Sequence, residues 1–197
     1  MLGVKVFVYG KLPQEGDYIF RGDDYKIYDI LEKWSNQYVS RLPFIFPVYK
    51  EYWLSAPIWS FCTPQRFFNS YAFGFLINSC DRVQREYPLI VLFLFSNKSD
   101  LLIFLKKRSF LLKVISNYYT KLTIDGFLLK INEVIEANYI EQDSLFHIDN
   151  ELIEKTLSLQ KSLWWAKGRN DTFIVQYDAF PLAEDLILYY GLAINTS

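Results

Sequence analysis

Histidine and cysteine are nearly absent: the 197 residues hold one His and two Cys. Zinc and dithiol chemistry need such residues in closely spaced pairs. Cys62 and Cys80 stand apart and read as small buried hydrophobes. His147, in SLFHIDN, has none of the serine, acid or ligand partners beside it that a catalytic or metal role would call for, and reads as a surface or helix-cap residue. Basic excess is missing too. With 21 Lys and Arg against 22 Asp and Glu, the net charge of −1 argues against a dedicated nucleic-acid binder. No uncharged run approaches the roughly 18 to 20 residues of a membrane-spanning helix. The N-terminus, MLGVKVFVYGKLP, has no basic segment ahead of an apolar one and no small-residue cleavage site, so no signal peptide is expected and the cytoplasm is the default location. Neither metal nor cofactor is expected: Asp23-Asp24 is too short an acidic cluster, and Gly10-Lys11 runs into Leu12, where a phosphate loop would have Ser or Thr.

Apolar and aromatic side chains are what the chain has in plenty, at 51% and 19%. That composition implies one packed domain over residues 1–197 and excludes disorder. Val4–Tyr9, Ala56–Cys62, Tyr71–Ile77 and Tyr87–Phe95 read as strands, the last an unbroken YPLIVLFLF run of the kind covered on both faces. Tyr25, Tyr28, Ile30, Leu31, Trp34 and Tyr38 recur at helical spacing behind a cap at Asp23 or Asp24, and Pro43 and Pro47 close that helix. Further helices are expected over Asp100–Tyr119, with Lys106, Lys107 and Arg108 as a solvated basic face. Two more follow over Asp125–Glu141, with Leu128, Leu129, Ile131, Ile135 and Tyr139 inward, and over Ile148–Gln160 with Asp149 capping. Ser162–Trp165 and Thr172–Tyr177 read as strands around a Gly168–Asp171 turn, and a closing helix runs from Pro181 through Tyr190 to Gly191. Strands, then a helical block, then strands again imply helices on both faces of a mixed sheet.

The densest charge lies in Gly74–Leu89, GFLINSCDRVQREYPL, between two core strands. Ser79 or Asp81 can cap a single helical turn there, which would put Arg82 and Arg85 on one face, and Pro88 forces Tyr87 into the next strand. Asp17 and Asp81 each sit among glycines and cations, where a partly buried carboxylate needs a cationic partner. Two readings stay open. Asp17 with Arg21, and Asp81 with Arg82 or Arg85, pin loops by charge-assisted hydrogen bonds, or Lys11, Arg82 and Arg85 line a recognition surface. Adjacent Trp164 and Trp165 point to opposite faces on a strand, so one can be core while the other reaches a second layer or a partner.

GFLINSCDRVQREYPL resembles the Gly-x-Leu-x-x-Ser-x-Asp-Arg-Val-Gly-Arg-x-Phe-Pro-Leu signature of the TagF family, associated with bacterial type VI secretion. YGKLPQEGDYIFR, Tyr9–Arg21, is similar to that family's opening motif, and WLSAPIWSF, Trp53–Phe61, to its Leu-x-x-Pro-x-Trp-x-Phe. Trp164-Trp165 followed by Gly168 resembles a later Trp-Trp element. The chain departs at Asn78, where the family tends to have proline, and at Gln84, where it tends to have glycine. The resemblance implies a three-layer α-β-α sandwich. It also implies a non-enzymatic, post-translational repressor of type VI secretion that binds the forkhead-associated scaffold protein of the apparatus; for this chain the expected contact surface is a preformed one built from the loops at Gly10–Asp17 and Asp81–Glu86. The alternatives are a structural accessory subunit of the machine, or a hydrolase using Asp17 and Asp81.

Overall fold

The structure, a computed structural model, describes residues 3–137, 148–167, 172–181 and 185–186. Within them the chain builds one seven-stranded sheet in the order β2-β1-β5-β4-β3-β6-β7. Its strands are β1 Val4–Gly10, β2 Ile19–Arg21, β3 Trp59–Thr63, β4 Tyr71–Cys80, β5 Glu86–Phe95, β6 Ser162–Lys167 and β7 Thr172–Tyr177. Every neighbouring pair is antiparallel, which corrects the expected mixed sheet. An unbroken apolar run reports burial on both faces and carries no information on strand direction. Two long helical connections interrupt the strands, one from β2 to β3 that carries α1 and one from β5 to β6 that lands β6 beside β3, while β1–β2, β3–β4, β4–β5 and β6–β7 pair as neighbours along the chain.

Alternation in β4 and β5 sends side chains to two separate apolar clusters. Phe73, Phe75, Ile77, Leu89, Val91, Phe93 and Phe95 pack under α4 (Lys98–Phe104), α5 (Arg108–Tyr118), α6 (Ile124–Glu136) and α7 (Asn150–Ser158). Leu76, Ile90, Leu92 and Leu94 face α1 (Tyr25–Ile45), together with Trp53 and Phe68 from the neighbourhood of the single-turn helices α2 (Tyr49–Tyr52) and α3 (Gln65–Phe68). Trp164 joins this second cluster, its ring stacked 4.4 Å from Phe61, while Trp165 joins the first, stacked 6.1 Å from Phe73. The opposite-face expectation therefore holds, and both rings are core. Gly74 makes the Phe61 position possible: a side chain there would run into the Phe61 ring and the Val91 carbonyl.

Several helix details differ from expectation. Asp24 does cap α1, accepting from the Lys26 amide at 2.9 Å, but α1 runs through Pro43 to Ile45. Its buried stripe is Ile27, Leu31, Trp34, Tyr38 and Leu42, leaving Tyr25 and Ile30 at the surface. The stretch expected as one helix over 100–119 starts earlier, capped by Asn97, and is broken by a 3-10 turn at Leu105–Lys107. That break turns Lys107 inward, so it is no solvated face. Its ammonium donates to the carbonyls of Val134, Ile135 and Ala137, closing the C-terminus of α6. Arg108 donates to the Ile148 carbonyl and the Asn150 side chain at the start of α7. In α6 Phe127 and Val134 are buried and Leu129 is exposed, a rotation of the expected stripe. His147, the Gly168–Asp171 turn and most of the closing helix lie outside the described residues.

Gly74→Ala tests the packing between β3, β4 and the tryptophan layer. Overpacking at a site bounded by backbone and a fixed ring is expected to cost about 1–3 kcal/mol, read as a lower urea midpoint at unchanged slope.

Candidate functional site

The Asp81 region is a tight hairpin connection, not the expected helical turn. The Asp81 amide donates to the Arg85 carbonyl at 3.2 Å and the Gln84 amide to the Asp81 carbonyl at 2.9 Å, closing a three-residue loop over Arg82–Gln84. Such loops end on a residue in the left-handed region, and Gln84 occupies it with φ 64. This is the position where the family motif has glycine, the residue that takes that conformation at no steric cost. Arg82 and Arg85 do not share a helical face.

Asp81 is wholly buried, and donors surround its carboxylate. Oδ1 accepts from the Val83 and Arg85 amides at 3.1 and 2.9 Å. Oδ2 accepts from Arg85 Nε at 2.6 Å and lies 3.1 Å from Lys11 Nζ, itself almost fully buried. Four donors match the acceptor capacity of a carboxylate. Burial pushes the Asp81 carboxyl up, but the Arg85 amide and guanidinium and the Lys11 ammonium outweigh it and hold the group down at about 2. The geometry selects Arg85 and Lys11 as partners; Arg82 makes no ion pair with it among the described residues.

The same cations fasten the loop between β1 and β2. Lys11 also donates to the Arg85 carbonyl at 3.3 Å, and its ammonium sits 4.6 Å above the Tyr18 ring. Arg85 Nη2 donates to the Gly16 carbonyl at 2.9 Å, and the Arg82 amide to the Glu15 carbonyl at 2.8 Å. Asp17 is exposed, accepts from the Tyr18 amide, and stands 4.0 Å from Arg85. The expected Asp17–Arg21 pair does not form, because Arg21 points along β2 to the Phe20 carbonyl and toward Asp125 at 3.9 Å. Gly10, with φ 124, lies so close to the Pro88 carbonyl that no side chain fits.

Contacts with no sequence signal complete the site, since their partners lie far away along the chain. Glu15 Oε1 accepts from the Ile124 amide at 2.8 Å, capping α6. Gln14 donates to the Thr120 carbonyl at 2.9 Å. Trp53 Nε1 donates to the Ser79 carbonyl at 2.6 Å, which ties the second motif to the hairpin. Beneath them the Tyr9 and Tyr87 hydroxyls meet at 3.0 Å and Tyr87 donates to Asn36 at 2.8 Å. Burial pushes the Tyr87 phenol up to about 12 and Tyr9 higher still, so both remain neutral. The outcome is a rigid platform with Arg82, Val83, Asp17 and Tyr18 facing solvent. Asp81 has no lone pair left for proton transfer, and no group of three or more His, Cys, Asp or Glu is placed to hold a metal among the described residues.

Asp81→Asn is expected to lower stability by about 3 kcal/mol, because Lys11 is left buried without its counter-charge. Arg82→Ala should stay within about 0.5 kcal/mol of wild type. A carboxyl held below its unfolded value contributes stability above that value and loses it as pH falls through the folded one. Wild-type stability should therefore decline from about pH 4 toward about pH 2, and Asp81→Asn should flatten that slope in acid urea titrations.

The model of the TagF N-terminal domain, described as type VI secretion system-associated, matches residues 8–133. No curated protein matches the chain. Among solved structures, the crystal structure of PA0076 from Pseudomonas aeruginosa PAO1 superposes with a TM-score of 0.66 at 20% identity, covering 98% of this chain and 94% of that one. At that identity the likeness is one of fold. The matched span runs from β1 into α6 and contains the loop, tryptophan and hairpin motifs that converge on Asp81, and the chain belongs to the TagF N-terminal domain family of type VI secretion-associated proteins.

Proposed function

We propose that this protein is a post-translational repressor of type VI secretion that acts by binding the forkhead-associated scaffold protein, without a catalytic step. One observation carries the reading. Five polar contacts between the β1–β2 loop and the β4–β5 hairpin hold a surface whose outward groups, Arg82, Val83 and Tyr18, are neither core nor paired with the central carboxylate. A preorganised face of this kind loses little conformational freedom on docking, and its exposed guanidinium suits an acidic patch. The family's link to the secretion apparatus supplies the context. The two apolar clusters on opposite faces of the sheet support reading the fold as a three-layer α-β-α arrangement. The scaffold's location makes the cytoplasm the place of action; among the described residues no helix is long and apolar enough to cross a membrane.

A hydrolase built on Asp17 and Asp81 has little support. One carboxylate is saturated and the other exposed, with Arg85 standing between them.

The test pairs the native scaffold with wild-type protein and with an Arg82→Glu, Val83→Asp variant. Capture of wild type and loss of at least about tenfold in affinity by a variant of unchanged thermal midpoint supports the reading. Equal capture of both, or of neither, removes it. In cells, deletion of the gene should raise effector secretion; abolished secretion would identify a structural subunit instead.

A further inference from the structure

The two edges of the sheet are built differently. β2 forms one edge with three residues, ends on the exposed Arg21 and is followed by Gly22 at φ 155, so little strand is offered there. β7 forms the other with six residues, TFIVQY, paired to β6 in unbroken register from Thr172 to Tyr177. Sheet edges are normally blunted by charge, proline, a bulge or a very short strand. β7 carries no charged side chain, no proline and no bulge. None of its six residues is fully buried; Thr172, Ile174 and Gln176 are exposed, Ile174 to 43%. Among the described residues no strand pairs beyond it.

The helix beside this edge contributes too. Gln176 Nε2 donates to Thr156 Oγ1 at 2.8 Å, which puts Thr156 on the flank of α7 nearest β7. At about 100° per residue Leu152, Lys155 and Leu159 fall on that flank with Glu151 just beyond, while Ile153 and Leu157 point to the core. Leu159 is 57% exposed, and Glu151 and Lys155 are exposed as well.

We propose that β7 is a self-association edge, pairing antiparallel with β7 of a second copy of this chain and joining two sheets into one across a two-fold axis beside Ile174. Three observations select a second copy over another partner. An uncharged strand brings no like charges face to face when it meets itself. An axis perpendicular to the sheet sets identical faces side by side, so the exposed Ile174 side chains cover each other. The same axis runs the two α7 flanks in opposite directions, so Glu151 of one copy faces Lys155 of the other. A pairing of six residues is a small interface, below the roughly 1,000 Å² of stable complexes, and the expected dimer is weak and concentration-dependent. Scaffold binding at the Asp81 platform, three strands away at the β4–β5 hairpin, is independent of it.

Sedimentation equilibrium of the full chain from about 5 µM to about 500 µM reads the association. Expected is a monomer–dimer equilibrium in which β7 amides gain protection from hydrogen exchange as concentration rises. Ile174→Lys, at an exposed position, should weaken dimerisation by about tenfold or more at an unchanged thermal midpoint, and Thr172→Lys gives the same test if Ile174→Lys melts early. Lys155→Glu sets like charges across the axis and should weaken the dimer by about threefold or more; adding Glu151→Lys should restore it. A monomer across the whole range, a dimer that the β7 lysines leave intact, or one that Glu151→Lys fails to restore would overturn the proposal. Capture of the scaffold is expected to be unchanged by any of these variants.

Discussion

A single buried carboxylate organises this end of the molecule. Asp81 closes its own hairpin through two backbone amides and reaches outward to Arg85 and Lys11. Those cations in turn hold the carbonyls of Arg85 and Gly16, so one negative charge fixes two loops that are far apart in sequence. A charge removed from water is tolerated only with such complete pairing. Every partner present has to be present for the arrangement to persist.

The sheet supplies the rigidity that this requires. β4 and β5 are its middle strands, buried on both sides, and the hairpin is their direct continuation. The tryptophans extend the support: Trp53 anchors the hairpin's Ser79 carbonyl, while Trp164 and Trp165 fill the two cores on opposite faces of β6. Aromatic content that looks excessive in the sequence goes into the two apolar clusters on either face of the sheet.

Six of the seven strands were legible because alternation and β-branched or aromatic runs are local properties, whereas the three-residue β2, Ile19–Arg21, was too short to read; the Asp149 cap was legible, and so was a cap at Asp23 or Asp24, which the structure puts at Asp24. Lys11, expected to line a recognition surface, is buried against Asp81, whereas Asp81 with Arg82 or Arg85 was legible as a charged group. Which cation Asp81 would choose was not, since the hairpin geometry of Gln84 decides it and a four-residue spacing reads equally well as a helical turn. Strand direction in the middle of the sheet was hidden, because residues covered on both faces look alike in either sense. The roles of Glu15 and Lys107 were also hidden: each caps a helix distant in sequence, and no periodicity or motif encodes such a pairing.

The closure of β4 and β5 by only three residues also bears on how the chain acquires its shape. Loop-closure entropy rises with the length of chain enclosed, and contacts between near neighbours form sooner than distant ones. The two middle strands are thus a pair whose meeting encloses little chain. A nascent hairpin of this kind exposes its apolar faces until the helices after β5 cover them.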